Sequence, residues 1–283
     1  MKKLLILTIL FALFAPIAGA KEIDRSELVE IRNVLIKHNN AIKNHDFKTF
    51  KTFYSKDYES ADGFSAEELS AMYEKTYKTY KNIKYQTKIN SITTFNDIAI
   101  AQLSDKSSAK LYPDNNKKDK KKAGILDGKS VYTVYLKKNN NSWQIIYDDI
   151  LMEETTLKYG IAKELDINLK TPLFIKQGQP YDLSLTMNKP QDIVALGAIS
   201  REEISYPPKD YQEKFRKIPP EGLLERIVKA NKRNLDEYAI ASVGFTRIST
   251  DNENSKAKIE VLGMAYVLKR VTMEKNKKFI KEL

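Results

Sequence analysis

Leu28, Ile31, Leu35, His38 and Ile42 recur at alternating spacings of three and four, which sets them on one stripe and predicts a helix. Asn44-His45-Asp46 closes that pattern, and Asp46 stands where it can cap a short second helix carrying Phe47, Phe50, Phe53 and Tyr54. Asp62-Gly63 is a turn pair, and Ser65 with Glu68 has the spacing of a capping box. They open a third helix whose Leu69, Met72, Tyr73, Thr76, Tyr77 and Tyr80 share a face. The period then changes to two: Ile83, Tyr85, Thr87 and Ile89 alternate with Lys84, Gln86 and Lys88, as in a half-exposed strand. Asn96-Asp97 turns into a strand from Ile98. A lysine-rich loop, a strand over Val131–Leu136, a turn at Asn139-Asn140-Asn141 and a last strand from Trp143 follow.

In that last strand, strict alternation puts Trp143, Ile145, Tyr147, Asp149 and Leu151 on one face. Gln144, Ile146, Asp148, Ile150 and Met152 take the other. Unless a bulge intervenes, the adjacent Asp148 and Asp149 point to opposite sides and form no carboxylate pair. The second apolar face then needs a cover, from the C-terminal half or from another copy of the chain.

Three helices followed by four antiparallel strands is an α+β layer, a curled sheet wrapped on helices. Beyond about 161 the chain shows short β-like runs divided by Gly, Pro and Asn, among them Tyr181–Met187, Ile193–Ile199, Tyr238–Ile248 and Ile259–Val271. That spacing predicts a small β-sandwich over 161–283. Leu224–Asn231 suits a strand or a helix turn.

Lys2 and Lys3, the apolar run Leu4 to Phe14, the helix breaker Pro16 and the small residues Ala18-Gly19-Ala20 have the order of a cleaved export signal, 1–20. Cleavage after Ala20 makes the product periplasmic or secreted, and the missing Cys at that point excludes a lipid-anchored form. With no cysteine in the chain, neither disulfides nor thiolate metal ligands are available. The formal charge of +11 loses Lys2 and Lys3 on cleavage and stays strongly basic. Anionic envelope surfaces are therefore plausible partners, through Lys117, Lys118, Lys120, Lys121 and Lys122, although a solvated loop tip accounts for the same cluster. No RNA-binding aromatic motif or basic helix points to nucleic acid. Only two histidines exist, so no metal site is expected, and no phosphate loop or other cofactor signature occurs.

The stretch "HNNAIKNHDFKTFKTFYSKDYESADGFS" (38–65) resembles the helix junction of the NTF2-like superfamily, and "KKNNNSWQII" resembles its closing hairpin. The resemblance covers about 21–158. It implies a cone-shaped domain over 21–160, and the whole layout is similar to exported bacterial proteins that add a C-terminal immunoglobulin-like domain. Ketosteroid-isomerase-like members place an oxyanion-donating tyrosine on the first helix and an aspartate base after the second. The equivalent positions here are His38 and Asp62, while the second donor position falls near Thr133, which is no acid.

The reading is an exported, non-catalytic binding protein. Its pocket, for a small apolar or amphipathic ligand or a protein partner, is lined by His38, Tyr73, Tyr77, Tyr85 and Trp143, with Asp62 at the rim. One alternative is a proton-transfer enzyme using Asp62 as base and His38 as polariser. The other is a structural module that forms a homodimer.

Overall fold

A computed structural model describes residues 25–112, 123–140, 142–207, 213–233, 235–251 and 256–274. The export signal with its cleavage point and the Lys117–Lys122 cluster lie outside the described residues. Helix α1 (Arg25–Lys43) buries Ile31, Leu35 and Ile42, as the stripe predicts. The Asp46 carboxylate accepts from the Thr49 amide at 3.0 Å and opens α2 (Phe47–Lys51). The capping box of Ser65 and Glu68 is formed in both directions at the start of α3 (Ala66–Thr79).

The helices lie against β1 (Lys84–Phe95), β2 (Ile98–Leu111), β3 (Gly124–Asn139) and β4 (Ser142–Gly160), an antiparallel succession. Asn96 and Asn140 take positive φ in the two tight hairpins, a conformation Asn tolerates. Strand β3 begins seven residues before the predicted Val131. Gly124, Asp127 and Gly128 are poor strand formers, so propensity hides a stretch that pairing on both sides keeps extended. The inner face packs Phe50, Tyr54, Leu103, Val134, Leu136 and Ile145 into one core.

Strand β4 has 19 residues and spans roughly 60 Å, about three times a typical strand. Along one edge it pairs with β3; the Glu154–Gly160 end of its other edge pairs with β12 (Lys256–Met273). The sheet thus runs without a break from the helical half into the C-terminal half, in the order β1-β2-β3-β4-β12-β11-β8-β9. Here β8 is Val194–Glu203, β9 Arg216–Lys217 and β11 Glu237–Asp251, and the short β6 (Phe174–Ile175) pairs with β12. A second sheet of β10 (Leu223–Lys229), β7 (Pro180–Met187) and β5 (Ile167–Lys170) faces it. Leu224–Lys229 is therefore strand, paired with β7 residue for residue. Leu183 and Leu185 from one sheet, and Ala241, Val243, Phe245 and Val267 from the other, share the second core. At the β4 exit Gly160 has φ +56, and a Cβ there would stand 2.0 Å from the Leu262 carbonyl oxygen, so only glycine lets β12 approach.

Candidate functional site

Two bulges in β4 decide which side chains face the helices. Tyr135 pairs with Tyr147 and Leu136 with Ile145, so Ile146 has no opposite residue and the alternation inverts after it. Asp148 then lies across from buried Val134, on the helix side. Tyr147 lies across from Tyr135 on the outer side, with ring centroids 5.6 Å apart. The strict alternation read from the sequence is corrected here. Asp148 and Asp149 do take opposite faces, but Asp148 shares the face of Trp143 rather than that of Gln144. A second bulge at Leu151 brings Glu153 opposite Ser130 on the inner side.

Three carboxylates consequently enter the interior: Asp105 from β2, then Asp148 and Glu153 from β4. Each is met by a hydroxyl. Tyr58 donates to Asp148 Oδ2 at 2.7 Å, Tyr238 donates to Glu153 Oε2 at 2.8 Å, and Thr87 and Tyr132 bond Asp105. Burial pushes the Asp148 carboxyl up to about 6 against the opposing pull of the Tyr58 bond. Burial also raises Asp105 and Glu153 above the usual carboxylate range, and it raises the Tyr58, Tyr73 and Tyr132 hydroxyls. Asp105 Oδ1 is buried and has no hydrogen-bond partner among the described residues.

The predicted site residues divide. Tyr73, Tyr77 and Tyr85 do come together, with Tyr85 centroids 6.3 Å from Tyr73 and 5.8 Å from Tyr77. Asp105 is electrostatically coupled to Tyr73, Tyr85 and Tyr132, which places it beside this cluster. His38 sits among Phe50, Phe53 and Tyr54, and its Nε2 is 2.9 Å from the Tyr54 hydroxyl. Burial lowers the imidazole to about 4, so at neutral pH it is uncharged. The bonds fit Nε2 accepting from Tyr54 and Nδ1–H donating to Asn39 Oδ1 at 3.3 Å. Trp143 is buried five residues, roughly 16 Å of strand, before Asp148, with the Lys138 ammonium 5.8 Å from its ring.

Asp62 is not at an open rim. It follows the turn the sequence predicts, yet its carboxylate accepts from Arg270 Nη2 at 2.6 Å, with 8% of the side chain exposed. Arg270, on β12, is itself buried and also donates to Asp236 Oδ2 through Nη2 at 2.7 Å and Nε at 3.1 Å. Burial disfavours its charge, but Asp62 and Asp236 more than offset that and hold the guanidinium cationic. His38 and Asp62 are thus each satisfied by other partners.

Asp105, Asp148, Glu153, Tyr58, Tyr132 and Arg270 escape sequence reasoning. For Asp105 a signal existed: Ala99, Ala101 and Leu103 alternate on the buried side, and the next step of two is an acid. For Asp148 there was none, because bulge positions are set by pairing. Among the described residues no group of three or more His, Asp or Glu is placed to hold a metal ion.

No family model matches the chain, and no curated protein matches it significantly. Among solved structures, a protein of the NTF2-like family from Streptomyces avermitilis is similar over 44% of this chain and 93% of its own, at 11% identity and TM-score 0.36. A Kribbella flavida protein is similar over 44% of this chain and 89% of its own, at 9% identity and TM-score 0.37.

Proposed function

We propose that this is an exported, non-catalytic binding protein. Its helical half is an NTF2-like cone that takes a small amphipathic ligand, and its C-terminal half is an immunoglobulin-like sandwich that makes envelope or protein contacts. The cone reading is supported by three helices laid on a bulged antiparallel sheet, and the sandwich reading by two facing sheets around one core. Export rests on the order of charged, apolar and small residues over 1–20.

The observation that carries the binding role is the unpartnered Asp105 Oδ1 beside Tyr73, Tyr85 and Tyr132. A buried acceptor left unmade costs about 1–3 kcal/mol, and a ligand hydroxyl or amine would restore the bond. The surrounding tyrosine rings suit the apolar body of such a ligand, and a protonated amine would gain further from their faces. Proton-transfer chemistry through Asp62 and His38 fits less well, since Arg270 occupies Asp62 and two hydrogen bonds occupy His38.

Native mass spectrometry of the mature chain, purified without denaturant, tests this. The expected result is a small-molecule adduct that Asp105→Ala and Tyr85→Ala each lose. An adduct-free protein whose tyrosine fluorescence is unmoved by millimolar amphipathic amines and alcohols would refute the reading, as would Asp105→Ala retaining the adduct in full.

A further inference from the structure

We propose a second, separate site on the outer face of β1–β4, for a phosphorylated polyhydroxy ligand such as a sugar or polyol monophosphate. A groove of about 430 Å³ opens there, lined by Lys84, Lys106, Lys129, Asp127, Ser108 and Thr156 among others. That volume lies in the range of small-molecule sites. The strand register supplies the argument. Lys106 on β2 stands directly opposite Lys129 on β3, with Gln86 on its other side. Like charges directly opposed across a strand pair destabilise a sheet, and on an exposed face any polar residue would serve instead.

The local acids compensate only one member of the pair. Glu154 is shared between Lys129 at 3.0 Å and Lys269 at 3.5 Å. Among the described residues neither Lys84 nor Lys106 has a carboxylate at ion-pair distance. Lys106, set against a like charge with no ion pair of its own, breaks a local rule, and such a place is where a function is to be sought. Flexible lysines lining one groove suit a phosphate, which takes point charges from any direction. Asp127, Ser108 and Thr156, on the same row across β2, β3 and β4, offer a carboxylate acceptor and two hydroxyls that donate and accept. This is the complement of a polyol's hydroxyls. No aromatic side chain is among the described lining residues, so a nucleobase finds no stacking platform.

The test titrates the mature chain with glycerol 3-phosphate, glucose 6-phosphate, a glycerol-phosphate polymer, inorganic phosphate and glucose, following amide shifts by NMR. Saturable shifts on the outer rows of β1–β4 are expected with the phosphorylated polyols, and about tenfold weaker binding with phosphate or glucose alone. Lys106→Gln should weaken binding by about tenfold and at the same time raise the unfolding midpoint, since it removes a like-charge pair. Lys48→Gln with Lys51→Gln, which removes two charges from exposed α2 positions, should leave binding unchanged. Tighter binding of the polymer per phosphate would identify a polymeric source, and equal binding a free one. The site is overturned if no phosphorylated ligand saturates, or if the α2 variant loses as much as Lys106→Gln, which would mean diffuse attraction to a basic protein.

Discussion

Replacing Asp148 by Asn isolates the energetics of the carboxylate that the β4 bulge turns inward. Asn keeps the shape and can accept from the Tyr58 hydroxyl, so the variant removes a titratable group and little else. Burial raises Asp148 from 3.8 to about 6, so the folded state holds a proton that the unfolded chain has released in that window. For a raised group the stabilising contribution is complete below the unfolded value and is lost as pH rises through the folded one. About two pH units at 1.36 kcal/mol each give a loss of roughly 3 kcal/mol between pH 4 and 7. The assay is urea unfolding of both proteins from pH 4 to 8. The variant's stability relative to wild type should climb by about 3 kcal/mol across the range and level off above pH 6.5. Asp105, Glu153 and His38 titrate in both proteins, so their contributions largely cancel in the difference. Parallel profiles would refute the inward placement, for they would mean that Asp148 titrates as it does in the unfolded chain.

Arg270→Met should cost about 3–5 kcal/mol, because it strands Asp62 and Asp236 without their buried cation. Adding Asp62→Asn and Asp236→Asn should restore much of that in the same denaturation assay, and a loss below about 1 kcal/mol on Arg270→Met would refute the buried ion triad. Gly160→Ala should destabilise by more than about 2 kcal/mol, whereas Gly178→Ala, at φ +70 but with open space around it, should cost only about 1 kcal/mol in thermal unfolding. Ser65→Ala should lose about 1 kcal/mol through the α3 cap, read as a lower urea midpoint with an unchanged slope.

The helices were legible because their signals are local. A stripe at spacings of three and four, an Asp before a short amphipathic run and a Ser three residues ahead of a Glu each act within one or two turns of chain. The tight hairpins at Asn96 and Asn140 belong to the same class. So do the tyrosines of α3, which meet Tyr85 because helix and strand periodicity alone put them on facing surfaces.

What only the tertiary structure decided turns on pairing between distant segments. Ile146 and Leu151 are ordinary strand residues in sequence. They become bulges because β3 offers one fewer partner than β4 has residues at each place, and each bulge reverses the faces of all that follows. Asp148 therefore enters the interior against the simple alternation, and the second bulge returns Glu153 to the face that alternation gives it. Asp62, legible as a turn residue, takes its role from an arginine 208 positions away on β12. The chain's own alternation selects which residues can share a face, but the register between strands, fixed by hydrogen bonds that no local pattern encodes, selects which face that is.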